Sequence, residues 1–130
     1  MATYKIRCDI ILNEFKDKSS IFVNNFTGDL KIVAKKITDK LIMNLYLPLT
    51  DPENPLHRYG DEGYSTRVML LRLYEDICRD TPQSLGLHDA IDILFNGYQL
   101  SSLTSYFALF TDFVDEYMSE MEAGDSRQDD

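Results

Sequence analysis

Only two side chains in this sequence, His57 and His88, ordinarily titrate near neutrality, so any acid–base chemistry at physiological pH starts with them. His57 lies in a polar stretch with Asp51, Glu53, Arg58, Asp61 and Glu62. Such a set allows two kinds of chemistry. His57 could act as a general base while Arg58 holds an anion, or the carboxylates could gather a hard cation. The same residues are also what an exposed polar loop ordinarily carries. His88, in Leu-Gly-Leu-His-Asp-Ala near the start of a predicted helix, reads as structural. No Gly-x-Ser-x-Gly, no paired-histidine helix and no phosphate-cradling glycine loop is present, so the common motif-bearing enzyme classes find no support. The expectation is a protein without catalytic residues, metal or cofactor. The stretch is better read as a contact patch. Arg58, Tyr59 and Tyr64, flanked by Asp61 and Glu62, are of the types that anchor protein interfaces.

A second cluster lies near the C-terminus. Asp112, Asp115, Glu116 and Glu120 recur at spacings of three and four, which places them on one side of a helix. Like charges at these spacings destabilise a helix by about 0.2–0.5 kcal/mol per pair. Acids late in a helix also oppose its dipole, at about 0.3–1 kcal/mol each. A helix shaped for stability alone would carry lysines there, as the first half of the chain does. The placement therefore favours a surface that meets positive charge on another molecule, with fast, steered association as the gain.

The elements that must position these groups are mostly helical in pattern. Tyr4, Cys8, Ile11, Leu12, Phe15, Phe22 and Phe26 fall on one helical face, with a break expected near Lys18-Ser19-Ser20. Tyr4, Ile6, Cys8, Ile10 and Leu12 also alternate at period two, so an α+β version with an N-terminal edge strand is the fallback. Thr27-Gly28-Asp29 reads as a turn with Asp29 as N-cap, followed by a stripe of Leu30, Val33, Ala34, Ile37, Leu41 and Leu45 that ends near Tyr46 ahead of Pro48. Residues 47–64 hold three prolines and two glycines and keep no periodicity. A loop of that length is uncommon in a compact domain unless it is functional or mobile.

A helix over about 66–79 should bury Leu70, Leu71, Leu73, Tyr74, Ile77 and Cys78, with Arg72–Asp76 and Glu75–Arg79 pairs outside. Another opens at Thr81 or Ser84, runs through Ile91, Ile93, Leu94 and Phe95, and closes at Asn96-Gly97. The last is capped by Ser101 or Ser102. It buries Leu103, Tyr106, Phe107, Phe110, Phe113, Val114, Tyr117, Met118 and Met121 and ends at Ala123-Gly124. The resulting class is all-α, a compact bundle of five to six helices with one long mid-chain loop. A single domain is expected over 1–124, with a polar tail over 125–130.

Composition bounds the function. At 130 residues with 44% hydrophobic content, the chain can build one core without staples. Cys8 and Cys78 lie far apart without metal-ligand spacing and read as reduced thiols that pack. Charged residues interrupt the start where a secretory leader would be apolar, and no apolar run approaches a membrane span, so a cytoplasmic protein is expected.

The net charge of −9 is uneven. Residues 1–50 carry eight Lys/Arg against five Asp/Glu, and residues 51–130 carry five against seventeen. Such a field disfavours direct contact with nucleic acid or anionic membrane and favours a basic protein partner. These features favour an acidic inhibitor, an immunity protein that covers a toxin or nuclease-like partner. The alternatives are a DNA mimic or antidefence inhibitor of a DNA-binding protein, which the basic first half opposes, and a small enzyme built on His57.

Overall fold

The computed structural model describes residues 2–46 and 66–128, and every candidate in the mid-chain loop, His57, Arg58, Tyr59, Asp61, Glu62 and Tyr64 among them, lies outside them. Among the described residues the chain is all-α, with five helices and no strand. These are α1 (Ala2–Asn24), α2 (Gly28–Tyr46), α3 (Thr66–Asp80), α4 (His88–Asn96) and α5 (Leu100–Gln128), with a short 3-10 turn at Gln83–Leu85 between α3 and α4.

The fallback edge strand does not form, and α1 is unbroken through Lys18-Ser19-Ser20. The reason lies in Ser19. Its hydroxyl donates to the Phe15 carbonyl at 2.7 Å and lies 2.7 Å from the Tyr106 hydroxyl, so a residue that competes with helix in water is satisfied inside the bundle. Thr38 Oγ1 of α2 lies 3.0 Å from the same Tyr106 hydroxyl. Counting protons fixes the directions. Ser19 spends its one proton on Phe15, so Tyr106 donates to Ser19 and Thr38 donates to Tyr106. This relay joins α1, α2 and α5 at a buried point, where an unmade bond would be costly. Burial holds the Tyr106 phenol above its ordinary pKa.

Helices α1 and α5 form the principal pair. Phe22 stacks on Tyr106 at a centroid distance of 4.0 Å, Phe15 lies 5.4 Å from Phe110 and 5.6 Å from Phe113, and Arg7 reaches Glu120. Contacts that descend α1 as they ascend α5 make the pair antiparallel. Helix α2 packs on α1, α4 and α3, and α4 also packs on α5, so one core of Phe15, Val33, Ile37, Ile91, Leu94, Leu103, Phe107, Phe110 and Val114 serves the whole fold.

The connections depart from expectation in detail. Helix α2 begins at Gly28, whose φ of 59° is the left-handed turn that glycine supplies, and Asp29 sits inside the first turn instead of capping it. Gly86, at φ 67°, makes the second such turn and delays α4 to His88. Gly97 closes α4 in an extended conformation, not a left-handed one, and its N–H bonds to the Ile93 carbonyl. Its requirement for glycine is steric, since a Cβ there would stand 2.9 Å from the Ile93 oxygen. Helix α5 starts one residue before the expected serine caps and continues past Ala123-Gly124 to Gln128.

In α3 the buried stripe is Met69, Leu73 and Ile77, whereas Leu71 is 54% exposed. Arg79 pairs with Asp76 at 2.8 Å and lies 3.5 Å from Asp80 rather than reaching Glu75. Lys40 of α2 reaches Asp80 at 3.1 Å and ties α2 to the end of α3. That bond to Lys40 lowers the Asp80 pKa.

Candidate functional site

The apolar stripe of α5 fixes where its acids go. Leu103, Tyr106, Phe107, Phe110, Phe113 and Val114 are buried, so residues about half a turn away must face out. Asp112, Asp115 and Glu116 are all exposed, and none forms an ion pair among the described residues. Because α5 extends to Gln128, these acids sit well inside the helix. A dipole penalty acts within the last turn, so it does not apply to them. What remains is repulsion between Asp112 and Asp115 and between Asp112 and Glu116, about 0.4–1 kcal/mol together.

Glu120, the fourth acid expected on this face, points elsewhere. Its Oε1 lies 3.0 Å from Arg7 Nη2 of α1, and its side chain is only 15% exposed. Its Oε2 is enclosed and accepts no hydrogen bond from a described residue. The physical reason is register: Glu120 is one helical turn beyond Glu116 but rotated toward α1, which the antiparallel packing brings alongside at Arg7. Glu120 therefore belongs to the α1–α5 seam, and the outward acidic face is a triad.

Cys8, buried beside this pair, has a thiol pKa raised by burial, then by the negative charges of Glu120 and Asp9. A thiol held protonated in this way packs as a small hydrophobe and is a poor nucleophile. Cys78 is free as well.

Among the described residues, those suited to other chemistry do not converge. His88 Nε2 lies 2.8 Å from the Thr81 carbonyl, so that nitrogen carries the proton and the ring braces the α3–α4 connection. Among the described residues no group of three or more His, Cys, Asp or Glu side chains could hold a metal ion, and no helix is long and apolar enough to cross a membrane.

Two features escaped the sequence pattern. The inward turn of Glu120 depends on a partner 113 positions away, which local spacing does not encode. The exposed leucines Leu71 and Leu100 border a groove of about 530 Å³ between α3, the end of α4 and the start of α5. Leu71 stands two residues from both Met69 and Leu73, about 200° around the helix, and so lies on the side opposite the buried stripe.

Comparison with protein-family models, with curated proteins and with solved structures finds no match for this chain.

Proposed function

We propose that this protein is an acidic inhibitor of the immunity-protein type, which neutralises a toxin or nuclease-like protein by covering its basic surface. One observation carries this reading: Asp112, Asp115 and Glu116 stand exposed on one face of α5 with no ion pair to a described cation of the chain.

The chain has cations to spare, yet spends them elsewhere. Arg7 meets Glu120, Lys35 meets Asp39, and Lys40 meets Asp80. Three carboxylates within five residues and about one turn of helix concentrate negative potential on a rigid support. Such a surface suits rapid capture of a cationic protein, and its negative sign disfavours a phosphate backbone as the ligand. The loop residues Arg58, Tyr59, Asp61, Glu62 and Tyr64 complete the proposed contact as apolar and polar anchors, and a cytoplasmic setting belongs to the same reading. The lysines exposed on α2, Lys31 and Lys35, weigh against a DNA mimic, which needs an extended negative surface.

The test is capture by the immobilised chain, with the partner identified by mass spectrometry. The expected catch is a basic toxin or nuclease whose activity the wild-type chain suppresses, and whose retention is lost on the triple change Asp112→Lys, Asp115→Lys and Glu116→Lys. Retention that survives the triple change, or a catch without a basic surface, overturns the reading.

A further inference from the structure

The groove between α3, α4 and α5 is lined by Leu70, Leu71, Tyr74, Phe95 and Leu100, with Arg67, Asn96 and Thr104 as its remaining polar members. Its volume of about 530 Å³ lies within the range of small-molecule sites, and it combines apolar walls with few polar groups, as such sites do. Leu71 and Leu100, 54% and 39% exposed, are left facing solvent.

The proton inventory says what kind of ligand fits. The Tyr74 hydroxyl donates to Asp92 Oδ1 at 2.8 Å, a bond that pushes its pKa up to about 12, so this proton stays in place. The Thr104 hydroxyl donates to the Leu100 carbonyl at 2.8 Å. Both hydroxyl protons are thus committed within the chain. Among the described residues Arg67 is the only charged side chain on the lining, and it forms no ion pair with any of them. Among the described residues, the donor capacity left in the groove is therefore the Arg67 guanidinium, with the Asn96 amide beside the same cleft. Guanidinium presents a planar fork that matches a carboxylate in bidentate fashion.

We infer that this groove binds a small amphiphilic carboxylate, its acyl or aryl body on Leu70, Leu71, Phe95 and Leu100 and its anionic head on Arg67. The site is separate from the acidic triad. Thr104 and Asp112 are eight residues apart on α5, about 12 Å along the helix, so both surfaces can be occupied independently.

Decanoate and 1-decanol, which share a chain and differ in the charged head, provide the probes. Titration of each into the full-length protein is followed by calorimetry and by amide chemical shifts. Decanoate should saturate one site, move amides of residues 67–74 and 95–104 together, and bind at least tenfold more tightly than the alcohol. Arg67→Gln should remove that preference while leaving the alcohol unaffected. Leu71→Asp should weaken both ligands with the melting temperature preserved, since Leu71 is an exposed residue outside the core. Three results each overturn the inference: no saturable binding of decanoate, equal binding of acid and alcohol, or a preference that survives Arg67→Gln. In those cases the exposed leucines are better explained as a seat for a segment of another protein.

Discussion

Arg7 and Glu120, 113 positions apart in sequence, lie 3.0 Å apart across the α1–α5 seam. This contact divides the acids of α5 into two kinds. Glu120 is satisfied within the molecule on one oxygen, whereas Asp112, Asp115 and Glu116 carry charge that the described part of the fold does not answer. Among the acids of α5, the proposed partner contact rests on the second group, and the two groups should respond differently to substitution.

Arg7→Gln leaves the largely enclosed Glu120 carboxylate without its cation. The cost lies between that of an exposed pair and a buried one, because Arg7 is 54% exposed and Glu120 only 15%. A loss of about 1–2 kcal/mol in unfolding free energy is expected from denaturant titration. Arg7→Gln combined with Glu120→Gln should recover part of that loss, since no unpaired charge then remains. Partner capture should be unchanged in both variants.

The Tyr106 relay gives a prediction about alkaline pH. Burial raises the folded-state pKa of Tyr106 above the ordinary value of 10.0. In the unfolded chain the phenol ionises near that value, while in the folded protein it stays neutral. The stabilisation is therefore complete below pH 10 and is lost as pH rises from there through the folded value. Tyr106→Phe should cost about 1–3 kcal/mol at pH 7 through its lost hydrogen bonds. It should also flatten the decline of stability above pH 10. Tyr74, raised in the same direction through Asp92, contributes to that decline and should be changed to Phe in the reference protein.

Two glycines should resist replacement for different reasons. Gly86→Ala places a Cβ on a residue with φ of 67° but in open space, so a cost of about 1 kcal/mol is expected from backbone strain alone. Gly97→Ala brings that Cβ to 2.9 Å from the Ile93 backbone oxygen, which cannot rotate away, and should cost more. Thermal melts of the two variants give the comparison; equal losses would contradict it.

How far the sequence discloses the fold follows from which forces are local. The stripes of α2 and α5 are legible because Val33 to Leu41 in α2 and Leu103 to Val114 in α5 place one face in the core, so period and burial coincide there; Leu45, Met118 and Met121 lie outside the described side chains. The break expected at Ser19 and the cap expected at Asp29 were misplaced because both depend on what packs nearby. Ser19 is held in helix by Tyr106, 87 positions away, and Asp29 is displaced from the cap by the left-handed Gly28. The acidic cluster was visible as spacing. That Glu120 leaves it for Arg7 was not, because the antiparallel register of α1 and α5 is a tertiary fact. The groove at Arg67 left no local signal either, since an exposed leucine such as Leu71 is the same residue type as the buried Leu73.

The acidic triad is tested most directly by association kinetics with the captured partner across ionic strength. The rate constant should fall steeply between low and physiological salt for the wild-type chain. For Asp112→Lys, Asp115→Lys and Glu116→Lys combined, it should be at least tenfold lower at low salt and nearly independent of salt, with the helical circular dichroism preserved. An association rate and salt dependence that the triple change leaves untouched would contradict the account.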